Sequence, residues 1–134
     1  MKEWKEAELR AEGYEIWNGK ITNADLDMSD HGCITMWLSI EGNGCGVCYG
    51  GICLGKGYVG AKTFSSSRNS MIYIMRIMDV LGVSKFNNLK GQYVRVAAKS
   101  IGSPVKIIGN IIRDKWFDAD SCFEPNDILK EYLE

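Results

Sequence analysis

The residues of this chain that could do chemistry are concentrated in the segment from Lys85 to Asp118. They are Phe86, Arg95 and the adjacent pair Arg113-Asp114. An aromatic ring that stacks on a base contributes about 1–3 kcal/mol, and an arginine can hold a phosphate through two parallel hydrogen bonds. A carboxylate can accept hydrogen bonds from ribose hydroxyls. Together these residue types predict a pocket for a flat base with a phosphate attached.

Each of these residues also has a plain structural interpretation. Phe86 can be a core contact beneath a helix, and Arg113-Asp114 can be an ion pair at the end of a strand. Adjacent side chains of a regular strand point to opposite faces. Arg113 and Asp114 can therefore reach one ligand only if the strand ends there or if the ligand bridges two subunits. At the level of the sequence both interpretations stay open.

The elements that position these residues begin with an antiparallel meander. Residues 14–28 predict a first strand, with a possible break at the turn dipeptide Asn18-Gly19. The segment GCITMWLSIE alternates as a second strand, and the glycine-rich segment after Gly42 carries a third, cysteine-bearing strand.

A helix is predicted from about Arg68 to Leu81, with Gly82 at the position that ends it. Its apolar residues fall on one stripe, which predicts the buried face: Met71, Ile74, Met75, Met78 and Leu81. A second short helix is predicted around residues 85–90. We therefore predict an α+β fold with an antiparallel sheet of about five to six strands and two helices inserted before the last two strands.

The two predicted final strands cover about residues 92–99 and 104–114. The last one is apolar on both faces, with Ile107 on one side and Ile108 on the other. A strand that is buried on both faces needs cover from both sides. Because few helices are predicted, we expect a second subunit to supply part of that cover, which makes the protein a homo-oligomer.

Composition limits the possible function classes. The 134 residues are 46% hydrophobic and 25% charged, and the formal net charge is −1. This length predicts a single domain over residues 1–134, with residues 1–13 as an arm or helix and 119–134 as a tail. The near-neutral charge argues against a general attraction to nucleic acid or to an anionic membrane. A charged N-terminus and the lack of a long apolar run predict a cytoplasmic protein.

The sequence contains few motifs that would indicate a metal site, a redox site or a catalytic site. Five cysteines without a signal peptide predict reduced thiols. Cys45 and Cys48 have the spacing of a metal or redox knuckle, but no second knuckle follows, and the single histidine, His31, lies apart. The glycine-rich run lacks the Gly-Lys-Ser/Thr ending of a phosphate loop. We therefore expect a binding protein without a metal or cofactor, rather than an enzyme.

Four motifs occur in a characteristic order across about residues 16–118. They are ADLDMSDHGCITMWLSIEG, CYGGICLG, MIYIMRIMDVLGVSKFNNLKGQYVRV and IGNIIRDKWFD. In the order and spacing of these motifs, the chain resembles small phage and prophage proteins of the Thoeris anti-defence sponge family. The resemblance implies an antiparallel sheet with two helices inserted before the last strands.

The resemblance also implies a function. Members of that family sequester the cyclic ADP-ribose isomers made by bacterial TIR enzymes, without degrading them. They form dimers or trimers of dimers with ligand sites at subunit interfaces, and some members bind cyclic trinucleotides at separate sites. Carried over by motif position, Phe86 would stack an adenine, Arg113 would stack on the base or contact phosphate, and Asp114 would bind ribose hydroxyls. Asn88 and Arg95 are further candidate ligand-binding residues, the latter for phosphate.

The leading prediction is thus a phage-encoded sponge in the cytoplasm of the host bacterium, with a cyclic ADP-ribose-type molecule as its partner. The alternative is a phage protein that inhibits a host defence protein by direct contact. The near-neutral charge argues against DNA mimicry as the means of such inhibition. A protein that co-purifies with the chain, with no small molecule in the extract, would favour this alternative.

Overall fold

A computed structural model describes residues 3–42, 44–100 and 105–121 of the chain. Within these residues the helices are α1 (Glu6–Ala11) and α2 (Arg68–Leu81), and the 3-10 turns are Phe86–Leu89 and Ala119–Ser121. The strands are β1 (Glu15–Asp30), β2 (Cys33–Gly42), β3 (Cys45–Gly50), β4 (Gly55–Lys56), β5 (Ser65–Ser66), β6 (Tyr93–Ala98), β7 (Ile107–Asn110) and β8 (Trp116–Asp118).

The strands form one curled sheet in which each pair of neighbours is antiparallel. Its order is β5-β4-β2-β1-β6-β7-β8, and β3 pairs with β2 beside this path. The mixed helix and sheet fold is confirmed, but the predicted number of five to six strands is too low for the eight that the structure describes. Two of the additional strands, β4 and β5, have only two residues each and are too short to show alternation in the sequence.

The predicted last strand, residues 104–114, is wrong in its extent. Strand β7 ends at Asn110, the chain turns, and β8 starts at Trp116. The side-chain oxygen Oδ1 of Asn110 accepts the backbone N–H groups of Ile112 and Arg113, each at 2.9 Å. An asparagine that satisfies the backbone in this way favours a turn over a continued strand. Three strands therefore follow the helical segment where two were predicted.

Strand β1 runs without a break through Asn18-Gly19. Asn18 pairs with Arg95 and Gly19 pairs with Val94 on β6, so the turn dipeptide is held in the sheet. A Cβ at Gly19 would lie 2.6 Å from Cγ2 of Ile40, so the glycine permits close packing against β2. The predicted break is wrong because strand pairing outweighs the local turn preference.

The main core lies between one face of the sheet and α2. The buried helix positions include Tyr73, Ile77 and Val80, whereas Met71 and Met75 are 62% and 61% exposed. Part of the predicted apolar stripe is therefore wrong, although its Leu81 is buried. The cause lies at the start of α2, where the buried Ser70 hydroxyl donates to the carbonyl of Leu54 and lies 3.0 Å from the Ser67 hydroxyl. These contacts hold the Ser70 side of the helix inward.

The opposite face of β6–β8 is covered by the N-terminal arm, which we define as residues 3–14. Leu9 of α1 is fully buried with Ala97, Ile107 and Trp116 in a second, smaller core. The strand that is apolar on both sides thus finds its second cover within the same chain. The expectation that another subunit covers Ile107 is corrected by this packing.

Two further predictions concern the membrane and the C-terminal tail. Among the described residues, no helix has the length and apolar character needed to cross a bilayer. The predicted tail begins with the 3-10 turn Ala119–Ser121. Residues 122–134 lie outside the described residues.

Candidate functional site

A row of three residues crosses the sheet beneath the N-terminal arm. Arg95 on β6 pairs with Gly109 on β7, which pairs with Trp116 on β8. Because Gly109 has no side chain, the guanidinium of Arg95 can lie over the indole of Trp116, with Cζ 4.5 Å from the ring centroid. This stack forms the floor on which the candidate site is built.

Each of the three nitrogens of the Arg95 guanidinium donates to a protein group. Nε donates to the carbonyl of Asn110 at 2.8 Å and Nη2 donates to the carbonyl of Arg113 at 2.9 Å. Nη1 pairs with Oε1 of Glu6 on α1 at 2.6 Å, and the Arg95 side chain is only 13% exposed. These contacts favour a structural role for Arg95 over the phosphate contact predicted for it.

Asp114 caps the start of α1 from the other end of the chain. Its Oδ1 accepts the backbone N–H of Glu6 and the indole Nε1–H of Trp116, each at 2.7 Å. Lys5, at the N-cap position, provides no side-chain cap of its own. The hydrogen bond from Trp116, followed by that from the Glu6 backbone and the charges of Lys5 and Arg95, lowers the pKa of Asp114 below 3.8, although partial burial opposes this.

The lowered pKa of Asp114 predicts a loss of stability in acid. A carboxylate whose pKa is lower in the folded state than in the unfolded state stabilises the fold above its unfolded pKa, and this contribution is lost as the pH falls through the folded pKa. Urea denaturation of the wild type and of Asp114→Asn should therefore differ most at neutral pH, with the difference shrinking below pH 3.8. A difference that stays constant down to pH values well below that point would contradict the prediction.

A cavity of about 400 Å³ opens beside this cap. Its walls come from residues 3–5 of the N-terminal arm, from Arg76, Asp79 and Val80 of α2, and from residues 113–117. The guanidinium groups of Arg76 and Arg113 have no hydrogen bond or ion pair within residues 3–42, 44–100 and 105–121. Both side chains are exposed, so they are available to an anion.

The other charges of the cavity are mixed in sign. Nζ of Lys115 lies 2.8 Å from Oδ2 of Asp79, and Nζ of Lys5 donates to the backbone carbonyl of Asp114 at 3.2 Å. Glu3 and Asp114 also line the cavity, so its four basic side chains exceed its three carboxylates by one. In a chain of net charge −1 the two guanidinium groups make a local site for an anionic group.

The two candidates of the 3-10 turn lie elsewhere. Phe86 is half-buried and packs against the main core, and Asn88 is exposed, with its backbone N–H donating to the carbonyl of Lys85 at 2.9 Å. Neither residue is among those that line the cavity. The structure thus brings Arg113, Asp114 and Arg95 together but leaves Phe86 and Asn88 outside their immediate neighbourhood.

Several residues of the site were not anticipated from the sequence. Trp4, Lys5 and Glu6 reach it from the start of the chain, and Arg76 reaches it from α2. No local pattern indicates that an N-terminal helix packs on the last strands. Asn110 could have been found, because asparagine is one of the residues that favour turns.

Asn110 holds the turn that presents Arg113. Its Oδ1 accepts two backbone N–H groups of the turn. Its Nδ2 donates to the carbonyl of Val80 at 3.0 Å, close to the C-terminal end of α2. We expect Asn110→Ala to lower the free energy of unfolding by about 1–3 kcal/mol in urea denaturation, since the two N–H groups of the turn and the Val80 carbonyl all lose their partner. Asn110→Asp keeps an acceptor for the two backbone N–H groups, and the carboxylate binds them more strongly, but its second oxygen faces the carbonyl of Val80. Its loss should therefore be smaller than that of Asn110→Ala and should come from the contact with α2. Equal losses for the two variants would contradict this assignment.

Comparisons with protein-family models, with curated proteins and with solved structures found no match for this chain. The candidate site therefore stands on its own geometry and on the motif resemblance described above.

Proposed function

We propose that the protein is a phage-encoded sponge that captures a cyclic ADP-ribose-type nucleotide and holds it without cleaving it, in the cytoplasm of the host bacterium. Two independent lines support the proposal. The first is the resemblance in motif order to the Thoeris anti-defence sponges. The second is the cavity beside Arg113, whose volume of about 400 Å³ and two exposed arginines are compatible with an anionic small molecule.

The unpaired guanidinium of Arg113 in this cavity is the observation that carries the proposal. Small-molecule sites commonly enclose about 300–1,000 Å³, and the cavity of about 400 Å³ falls in this range. The turn that bears Arg113 is held by Asn110 and by the Arg95 hydrogen bond to the Arg113 carbonyl. These contacts fix the backbone of Arg113 at the cavity, and its guanidinium can hold a phosphate with two hydrogen bonds.

Asp114 can serve the same ligand through its second oxygen. Oδ1 is used by the backbone of Glu6 and the indole of Trp116, whereas Oδ2 has no hydrogen bond within the described residues. A ribose hydroxyl could donate to Oδ2 while the cap on α1 stays intact. Because the strand has ended before Arg113, the two adjacent side chains can both face the cavity.

The electrostatics of the cavity support capture rather than acid–base catalysis. A general acid or base works best with a pKa near the operating pH. The pKa of Asp114 is lowered away from that range. The guanidinium groups of Arg76 and Arg113 can hold an anion, whereas Asp114 is poorly suited to exchange protons with it.

The base-stacking role predicted for Phe86 requires a second chain. Its ring packs partly into the core and is not part of the lining of the Arg113 cavity. A base could meet both residues if two chains share one ligand, which is the arrangement that the resemblance implies. On this proposal Phe86 of one chain stacks the base whose phosphate is held by the other.

A release experiment tests the proposal directly. The protein is mixed with the product of a TIR enzyme, free ligand is filtered away, the protein is heat-denatured, and the supernatant is examined by mass spectrometry. Intact messenger should be recovered from the wild type. A cleaved product would establish an enzyme instead, and no retained ligand, together with a stable co-purifying host protein, would favour inhibition by contact.

Variants locate the site within the same experiment. Arg113→Ala should weaken retention by about tenfold or more, since a hydrogen-bonded charged group contributes about 1.5–3 kcal/mol. Phe86→Ala should weaken it as well, with a native circular dichroism spectrum. Arg10→Ala is the matched control, because Arg10 is an exposed arginine of α1 that does not line the cavity. Equal retention by the Arg113 and Arg10 variants would rule out the cavity as the ligand site.

A further inference from the structure

The outer side of α2 carries a straight row of four exposed residues. Arg68, Ile72, Met75 and Asp79 are spaced by four, three and four positions, which places them on one line along a helix. Ile72 is 40% exposed and Met75 is 61% exposed, so the middle of the row presents apolar side chains to solvent. This spacing is that of a coiled-coil seam on a helix whose other side is already buried in the core.

The row is self-complementary. Its order is positive, apolar, apolar, negative, and it is symmetric about the midpoint between positions 73 and 74. If two such helices pack antiparallel about a two-fold axis at that midpoint, Arg68 meets Asp79 of the partner subunit, and Ile72 meets Met75 of the partner subunit. An isologous interface contains each of these contacts twice. Within the row itself, like charges meet at neither end.

We propose that the α2 row is the surface on which a second copy of this chain docks, forming an antiparallel helix pair. The proposal does not depend on the function of the cavity or on the nature of its ligand. It is a different interface from one at which Phe86 and Arg113 of two chains would share a ligand, because both residues lie near the C-terminal end of α2, and antiparallel packing sets these two ends apart. It replaces the doubly apolar last strand as the reason to expect an oligomer, because that strand is covered by the N-terminal arm. Charge complementarity within the row selects a second copy over an unrelated partner.

The neighbours of the row are compatible with this arrangement. Asp79 already pairs with Lys115 through Oδ2, and its Oδ1 can accept a second donor such as Arg68 of the partner subunit. Met71 lies beside the row and is 62% exposed, so it widens the apolar centre. Its flexible thioether side chain adapts well to an opposing surface.

Sedimentation velocity across the micromolar range tests the proposal. The wild type should sediment as a dimer or as an assembly of dimers. Met75→Glu should raise the dissociation constant of the pair by about tenfold or more, since it places two charges at an apolar centre. Ile112→Glu is the matched control, because Ile112 is 87% exposed and lies outside α2.

A charge exchange separates this surface from other interfaces. Arg68→Asp and Asp79→Arg should each weaken association, because like charges then meet at both ends of the pair. The double variant restores opposite charges at both ends and should recover association. Circular dichroism monitors the fold in every case. A monomeric wild type, an oligomer that Met75→Glu leaves unchanged, or a double variant as weak as the single variants would each overturn the proposal.

Discussion

Replacing Arg95 with alanine is expected to lower the free energy of unfolding by about 2–4 kcal/mol, which is a large share of the stability of a small domain. The loss has three sources that act together. The carbonyl groups of Asn110 and Arg113 lose their donors, Glu6 keeps only its 3.9 Å ion pair with Arg10, and the indole of Trp116 loses the cation that covers it. The damage should reach α1, because Glu6 connects that helix to the sheet.

Urea denaturation monitored by tryptophan fluorescence measures this loss. Arg95→Lys keeps the charge but cannot reproduce the planar fork of donors, so most of the loss should remain. A double-mutant cycle with Glu6→Gln isolates the ion pair, which should account for only part of the total because the Glu6 side chain is 40% exposed. If lysine restored full stability, charge alone would be sufficient and the role assigned to the guanidinium geometry would be wrong.

Gly109→Val is the second substitution from which we expect a large effect. A Cβ built at Gly109 would lie 2.3 Å from Cε3 and 2.5 Å from Cζ3 of Trp116. Since Trp116 is only 6% exposed, the ring cannot move aside without opening the core beneath the N-terminal arm. We expect a loss of about 2–4 kcal/mol from overpacking and from displacement of the indole.

The control for this substitution is another strand glycine. A Cβ added at Gly46 on β3 would have no atom within 4 Å, so Gly46→Val should change the stability far less than Gly109→Val. Near-ultraviolet circular dichroism should report the displaced indole in the Gly109 variant alone. Combining Gly109→Val with Trp116→Leu should cost less than the sum of the two single changes. Strict additivity would show that the side chains do not compete for the same space.

The elements of this fold differ in how well the sequence predicts them. The ends of α2 were predictable, because Gly82 adopts the left-handed conformation, with φ of 74°, that typically ends a helix. The face that α2 turns toward the core was not predictable. It depends on the contact of Ser70 with Leu54, which lies sixteen positions earlier in the chain. Alternation identified β2, but the two-residue strands are defined only by their partners.

In the candidate site, too, residue types were predictable from the sequence and tertiary contacts were not. Arg113 and Asp114 could be singled out by residue type, and their place at the end of a strand was one of the alternatives left open by their adjacent positions. Their surroundings could not be foreseen, because the N–H that Asp114 caps belongs to Glu6, 108 positions away. Contacts of this kind arise from tertiary packing and leave no trace in local periodicity.

The N-terminal arm has a consequence for the order in which the protein matures. It is synthesised before the other described residues, yet the groups that bind it, Arg95, Asp114 and Trp116, all lie in the last third of the described chain. Closing a loop of this length is entropically costly and slow relative to local contacts. We therefore expect the arm to dock late. The cavity would then form only after synthesis of the last strands, and a nascent chain would have no competent pocket.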